Sequence, residues 1–421
     1  MDRPSSILRN VRAKRSNRSW AAAAGRHAAI FMHLGRLLLR LAGLVLLFGA
    51  SVEITSRVED WVRFRTPLLS PYRSQVDLMV RDKDGMHARP NSRFQKWVIN
   101  NLGFRGPDAA PVKPPGTFRI VVAGASETFG LYEAPDHEYP RQLEDTLKAM
   151  LQQTQACDGV IQRFEVLNAA FPGMSLPTVT QDIKNRVRRY GMDVVAYYPT
   201  PSQYLWDERP QAALPDSSGH LEDPSWSAAI YPRIWTRMRI QRLRGTISRS
   251  LRRSEVASQV QNHPPGWRFE VIPDDRLAAY EADLRNLVGA IRAAGALPAL
   301  VTQANAFYSR RSANPALLRG WEKYYPRATG PTFLAFDSAA ADVTRRVASD
   351  SGALLVDWRA VLTDAAPPGL FGDYAHFTDR GAAMLASAIA RSLMEALRSG
   401  QALCGATVPQ AQSKPSKPGT P

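Results

Sequence analysis

A serine, an aspartate and a histidine occur in this sequence where they could carry out nucleophilic chemistry. Ser126 lies in the turn GASETFG, residues 124–130, directly after an apolar run, where backbone N–H groups are free. Asp373 and His376 lie in the short segment DYAHFT. One loop can therefore supply both a general base and the carboxylate that orients it. We expect these residues to form a triad in which His376 activates Ser126 for attack on an ester carbonyl.

Each of these motifs also has a plain structural explanation when it is taken alone. A serine after a strand is often only a turn residue, and Thr378 is a good N-cap, so His376 could be an ordinary surface residue before a helix. Gly173 ends the segment NAAFPG, residues 168–173. It is either a turn glycine or a position where a backbone N–H can approach a developing oxyanion.

The elements that must position these residues follow an alternating pattern. Apolar runs predict strands at 118–123, 164–167, 194–198, 297–302 and 353–356, and helical periodicity predicts helices at 137–151, 176–190, 274–294, 333–351 and 379–397. Strands that alternate with helices favour an α/β fold with a three-layer, doubly wound parallel sheet. Ligand groups of such sheets lie beyond the carboxyl ends of the strands, where Ser126, Gly173 and the loop of His376 are expected.

The N-terminal part of the chain indicates export. Residues 1–27 form a basic leader and residues 28–52 a signal anchor or transmembrane helix. The uninterrupted apolar run 41–52 is shorter than the roughly 18 residues that span a bilayer, but Arg36 and Arg40 lie near enough to one end to snorkel. A cleaved signal and a buried core helix remain alternatives, and Met32 is a second candidate start. By the positive-inside rule, we expect a single-pass inner-membrane protein whose catalytic domain is periplasmic.

Beyond the anchor we predict a connecting region at 53–115, a domain at 116–400 with an insertion at 200–273, and a disordered tail at 405–421. The net charge of +16 comes from residues 1–40, which hold nine Lys or Arg and one acid, and from residues 231–253, which hold eight arginines and no acid. The second segment predicts a cationic amphipathic helix that contacts an anionic membrane, attracts a polyanionic glycan, or is simply a solvated helix. No recognition motif supports nucleic-acid binding.

The two cysteines, Cys157 and Cys404, are too few and too far apart for a zinc site. We expect no metal and no cofactor. Each cysteine follows the end of a predicted helix, 137–151 or 379–397, and the first and last helices of such a fold usually pack on one face with neighbouring ends. A Cys157–Cys404 disulfide is therefore one hypothesis, and two unpaired thiols are the other.

Taken together, these motifs resemble the SGNH (GDSL-like) hydrolase superfamily, in its membrane-anchored bacterial form. By position, Ser126 matches the nucleophile, Gly173 the oxyanion glycine, and Asp373 and His376 the final acid and base. The similarity covers about residues 101–397, including residues 101–106 (NLGFRG), 118–122 (FRIVV) and 376–381 (HFTDRG). Two departures stand out. Ala125 replaces the usual aspartate, and the family's oxyanion asparagine falls in PTPSQY, residues 199–204, which has none.

In that segment Ser202 or Gln203 could donate a hydrogen bond in place of the asparagine. The resemblance implies an exported serine esterase or O-acyltransferase that acts on ester-linked acyl groups of an envelope or exopolysaccharide glycan, or of a small ester. The alternative is a catalytically degenerate SGNH-fold protein that binds carbohydrate or assists assembly. The expected membrane contacts are the N-terminal helix and the Arg-rich segment 231–253.

Overall fold

A computed structural model describes residues 6–72, 75–153, 160–215, 233, 263–308, 318, 321–322, 324–362 and 367–399, and side chains from residue 32 onward. The chain divides into two compact units. The smaller contains residues 1–68 and 232–238, and the larger contains residues 69–231 and 239–421. Cys157, Cys404 and the predicted tail lie outside the described residues, and so does nearly all of the Arg-rich segment.

The smaller unit is built on one long helix, α1 (Ser6–Phe64). Its part from Met32 to Phe64 is long and apolar enough to cross a membrane or to serve as a signal sequence. Large apolar side chains such as Leu39 and Leu46, each 74% exposed, cover its surface. Exposure of so many apolar side chains to water is energetically unfavourable. α1 continues past the predicted anchor end at residue 52. Ion pairs one turn apart, Arg57 with Glu53 and Arg63 with Glu59, support its last turns.

Arg233 is the described residue of the predicted Arg-rich segment, and it belongs to the same unit. Its guanidinium lies 2.6 Å from the Asp60 carboxylate of α1, with both side chains buried. Arg233 Nη2 also donates to the Pro67 carbonyl at 3.4 Å. This arginine is therefore held by α1 and the turn that follows it.

Two short hairpins open the larger unit. β1 (Met79–Asp82) pairs antiparallel with β2 (Gly85–Ala88), and β3 (Arg93–Phe94) with β4 (Trp97–Val98). The hairpins and the residues after them bury apolar side chains in the same core as the main sheet, including Leu78, Met86, Trp97, Ile99 and Phe104. The prediction of a mere connecting region at 53–115 is corrected in this respect, because much of that segment is an integral part of the domain.

The predicted parallel sheet is confirmed. Its five strands are β5 (Thr117–Ala123), β6 (Arg163–Asn168), β7 (Val194–Tyr197), β8 (Leu297–Val301) and β9 (Leu354–Val356). They lie in the order β6-β5-β7-β8-β9, and every pairing is parallel. All residues of β5 and β7 are buried, as expected for strands covered on both faces.

Helices cover both faces of this sheet, which confirms the three-layer doubly wound fold. They are α2 (Ser126–Phe129), α3 (Tyr139–Gln153), α4 (Leu176–Asn185), α5 (Asp274–Ala293), α6 (Gly330–Ser351), α7 (Trp358–Val361) and α8 (Asp379–Arg398). α3 and α8 pack together on one face, while α4, α5 and α6 contribute to the core of the other. Strand order reverses on the two sides of β5, so the edge beyond the end of β5 is the expected place for a site.

Candidate active site

Ser126 begins α2, three residues after the last residue of β5. The chain turns here at Gly124, where a Cβ atom would overlap the Thr128 side chain and lie 2.8 Å from the Tyr198 carbonyl oxygen. Only glycine therefore allows the strand end and the helix to approach so closely. The first N–H groups of a helix have no partner within the helix, so the Ser126 backbone N–H is not used by α2.

Arg105, from the NLGFRG segment, fixes the other end of α2. Its guanidinium is buried and donates to the carbonyls of Phe129 and Gly130. It also pairs with Glu138 at 3.0 Å, and both side chains are almost fully buried. The arginine thus satisfies the last carbonyls of the short helix and connects it to the start of α3.

The loop before α8 places His376 opposite Ser126. His376 Nε2 lies 2.9 Å from Ser126 Oγ, and His376 Nδ1 lies 2.8 Å from Asp373 Oδ2. The other carboxylate oxygen of Asp373 accepts the backbone N–H groups of Ala375 and His376, each at 2.9 Å. The structure therefore brings together the three residues that the sequence predicted to form a triad.

The charges around the imidazole favour its protonated form. Burial lowers the pKa of His376, but the hydrogen bond to Asp373 and the carboxylates of Glu127, Asp373 and Glu133 outweigh it, so this pKa lies above its ordinary value. Burial likewise opposes ionisation of Asp373. Its hydrogen bonds with His376 and Ala375 prevail and hold the pKa of Asp373 below the usual range.

Gly173 lies in the turn after β6, where its φ of +88° is one that glycine adopts readily. The space beside it is open, since an added Cβ would meet only Met86 Cε at 4.0 Å. Asn168 joins this strand end to α2 through a hydrogen bond from Nδ2 to the Thr128 carbonyl at 3.1 Å. The role of Gly173 as an oxyanion donor remains a prediction.

Ser202 and Gln203, the predicted substitutes for the asparagine, both have hydrogen-bond partners within the protein. Both are buried in the 3₁₀ helix Pro201–Leu205 and have other partners. Ser202 Oγ donates to the Tyr325 hydroxyl at 3.1 Å, and Gln203 Nε2 donates to the Met174 carbonyl at 3.1 Å. Met174 directly follows Gly173, and the Gln203 amide has a second hydrogen, so the expectation that one of these residues replaces the missing asparagine remains a prediction.

Two residues that sequence reasoning missed, Glu127 and Thr200, are linked to Ser126. Thr200 Oγ1 donates to Glu127 Oε2 at 3.2 Å, and Ser126 Oγ lies 3.3 Å from the same carboxylate oxygen. Glu127 is only 3% exposed. A buried carboxylate therefore joins the serine to the end of β7. The position of Glu127 directly after Ser126 in the sequence was the one signal that could have identified this carboxylate.

The loop between α2 and α3 covers the imidazole. The ring of Tyr132 meets the ring of His376 edge to face, with centroids 5.4 Å apart. Burial, together with the charge of Asp373 and a hydrogen bond to it, raises the pKa of Tyr132 to about 12. The neighbouring Glu133 is buried, and this burial raises its pKa to about 7.

Asp379, in the first turn of α8, holds this loop in place. Its carboxylate accepts the Ala134 N–H at 2.7 Å and lies 3.0 Å from His137 Nδ1. Its carbonyl accepts a hydrogen bond from Gln142 Nε2. The loop that carries Tyr132 is therefore attached to the helix that begins directly after His376. Within the described part of the chain, no cluster of His, Cys, Asp and Glu has the grouping of a metal site.

No protein-family model and no curated protein matches the chain. Solved structures similar to it include an alpha/beta hydrolase enzyme from the metagenome of Lake Arreo, Spain, at 18% identity and a TM-score of 0.38, covering 66% of this chain and 96% of that one. An acetyl xylan esterase from Geobacillus stearothermophilus is similar at 15% identity and a TM-score of 0.36, covering 66% and 94%. A lipase/acylhydrolase from Enterococcus faecalis is similar at 12% identity and a TM-score of 0.37, covering 66% and 96%. With such low values, the functional argument depends on the residues of the site.

Proposed function

We propose that the chain is a serine esterase or O-acyltransferase that uses Ser126 as its nucleophile. The observation that supports this most directly is the continuous chain of hydrogen bonds from Ser126 Oγ through His376 to Asp373. Nucleophile, base and orienting carboxylate are each within hydrogen-bond distance of the next, which is the arrangement that acyl transfer requires.

In the proposed reaction, Ser126 Oγ bonds to the ester carbonyl carbon while His376 Nε2 accepts the hydroxyl proton. Asp373 holds Nδ1 and stabilises the imidazolium that forms. The backbone N–H groups of Ser126 and Gly173 stabilise the oxyanion. His376 then returns the proton to the leaving alcohol oxygen, which leaves an acyl-Ser126 ester. Attack by water releases the acid, and attack by a sugar hydroxyl transfers the acyl group.

An acylated glycan is the substrate class that we propose for this site. Two exposed tyrosines lie near the imidazole, Tyr132 at 55% and Tyr324 at 59% exposure. Tyr132 contacts His376 directly, and Tyr324 packs against Tyr374, whose centroid is 6.4 Å from that of His376. Flat aromatic rings with polar tips suit the faces and hydroxyls of sugar rings.

We further propose that α1 anchors the chain in the inner membrane, with the domain on the extracytoplasmic side. The basic leader and the candidate span from Met32 to Phe64 support this orientation. Alkaline phosphatase, which is active only after export, is expected to be active when fused after residue 115 and inactive when fused after residue 20. The reverse pattern would contradict the orientation.

Reaction with a fluorophosphonate probe tests the nucleophile in the full chain, purified in detergent micelles. We expect wild type to be labelled and Ser126→Ala to be unlabelled. Ser387→Ala is the matched control, since Ser387 is also half-buried but lies on α8 and donates to the Ala383 carbonyl. Equal labelling of Ser126→Ala and wild type would refute the assignment. Acetate release from acetylated glycans, with and without an acceptor glycan, then separates hydrolysis from transfer.

The second candidate is a non-catalytic carbohydrate-binding or assembly protein with this fold. The observation that favours it is that Ser202, Gln203 and Thr200 donate hydrogen bonds to other groups of the protein, namely Tyr325, Met174 and Glu127. Loss of one oxyanion donor typically lowers kcat by about 10² to 10³. Folded wild-type protein that binds glycan but reacts with no probe would support this candidate.

A further inference from the structure

Glu127 is a buried acid in the candidate site that the mechanism above does not use. It follows Ser126 in α2, and a single oxygen, Oε2, meets both Ser126 Oγ and Thr200 Oγ1. The structure gives it no arginine or lysine partner among the described residues. A carboxylate oxygen therefore lies against the nucleophile.

We propose that Glu127 is a positioning residue that stabilises the imidazolium form of His376 and holds the Thr200 hydroxyl beside the nucleophile. The inference rests on the proposed function for its kinetic consequence, but not for its effect on the imidazole.

Geometry supports a direct electrostatic effect. Ser126 Oγ lies 3.3 Å from Glu127 Oε2 and 2.9 Å from His376 Nε2, so the carboxylate is within about 6 Å of the imidazole. At that separation, in a site that is mostly shielded from water, opposite charges attract each other appreciably. The charge of Glu127 is one of the causes that raise the pKa of His376.

Other groups also face the imidazole and must be separated from this effect. Asp373 and Tyr374 belong to the same loop as His376, and Tyr132 and Glu133 belong to the loop between α2 and α3. Asp373 contacts Nδ1, on the side of the ring away from Ser126. Glu127, by contrast, approaches the ring from the side of the nucleophile.

A substitution that removes the charge of Glu127 but preserves the size of its side chain tests the proposal. In Glu127→Gln we expect the pKa of His376 to fall by about one to two units, the displacement that opposite charges about 6 Å apart produce at the effective dielectric of proteins. NMR of the His Cε1 resonance in the full chain in micelles measures it, and the His376→Gln spectrum identifies the signal. Glu395→Gln, an exposed acid near the C-terminal end of α8, is the control and should leave the titration unchanged.

Kinetics supply a second readout, because only neutral His376 can accept the serine proton. In Glu127→Gln, the acid limb of the pH profile of kcat/KM should move to lower pH by the same amount as the pKa of His376. In Glu127→Asp, which keeps the charge, this limb should remain near that of wild type. A purely structural role would lower activity at every pH without moving this limb. If Glu127→Gln does not fold, Glu127→Ala provides a second neutral variant.

An unchanged His376 titration in either folded neutral variant would overturn the inference. The two proposals can fail separately. A protein without esterase activity whose His376 titration still responds to Glu127 would refute the proposed function alone, and an active esterase whose titration does not respond would refute the positioning role alone.

Discussion

Replacement of Asp373 by asparagine removes one charge from the site while preserving its size. In the structure this carboxylate lies 2.8 Å from His376 Nδ1 and accepts two backbone N–H groups of its own loop. An asparagine can still accept the backbone hydrogen bonds through its amide oxygen. What it cannot do is balance the positive charge that His376 acquires when it takes the serine proton.

The size of the effect follows from the geometry. The two side chains are only 14% and 22% exposed, so water screens the pair weakly. Two unit charges about 4 Å apart attract by about 4 kcal/mol at an effective dielectric of 20. This energy corresponds to a rate factor of about 10³. An asparagine NH₂ directed at Nδ1 would also favour the wrong imidazole tautomer, which brings the expected loss to about 10³ to 10⁴ in kcat.

Hydrolysis of p-nitrophenyl acetate by the full chain in micelles measures this loss, and the rate of fluorophosphonate labelling should fall in parallel. KM should change little, because Asp373 acts through His376. The matched control is Asp342→Asn, in which an exposed carboxylate of α6 undergoes the same substitution. A folded Asp373→Asn protein within tenfold of wild type would show that the imidazolium does not depend on this carboxylate.

Three further predictions concern stability. Gly173→Ala should lower the free energy of unfolding by about 1–2 kcal/mol in chemical denaturation, because alanine disfavours φ +88° while its Cβ has room; an unchanged value would argue against this conformation. Arg105→Met should lower the free energy of unfolding by about 3–5 kcal/mol, because it leaves Glu138 buried and unpaired. A decrease in Tm smaller than that of the exposed Arg398→Met control would contradict this. Burial raises the pKa of Glu133 from 4.5 to about 7, so ionisation of this side chain lowers the free energy of unfolding by about 3 kcal/mol above about pH 7 and by nothing below about pH 4.5. Glu133→Gln should therefore stabilise the protein at pH 8 but not at pH 4.5. An equal effect at both pH values would refute the assignment.

The main sheet could be predicted because its strands are buried on both faces and therefore appear as short apolar runs. β7 consists entirely of buried residues and was predicted to within one residue. The hairpins were missed because β1 to β4 have two to four residues each and mixed polarity. A local signal existed at Asp84-Gly85, since this dipeptide is typical of tight hairpin turns. The end of α1 was missed because ion pairs, rather than apolar periodicity, stabilise its last turns.

The positions of Ser126, Asp373 and His376 could be predicted because each directly follows or precedes an element whose end is fixed by the topology. The surroundings of Thr200 could not be predicted in this way. Whether a side chain beyond β7 faces the site or the core depends on where the 3₁₀ helix begins, and this helix begins at Pro201. The pattern of residue types does not specify that boundary, so the hydrogen bond between Thr200 and Glu127 was not predicted.

The attachment of residues 131–137 to Asp379 has a practical consequence for protein engineering. A loop grafted from another hydrolase to widen the range of accepted esters would need a free N–H at position 134 and a hydrogen-bonding ring at position 137, or it would lose its anchor on α8. A library that keeps those two positions and randomises Tyr132 would vary the side chain that packs against His376 while the loop keeps its anchor on α8.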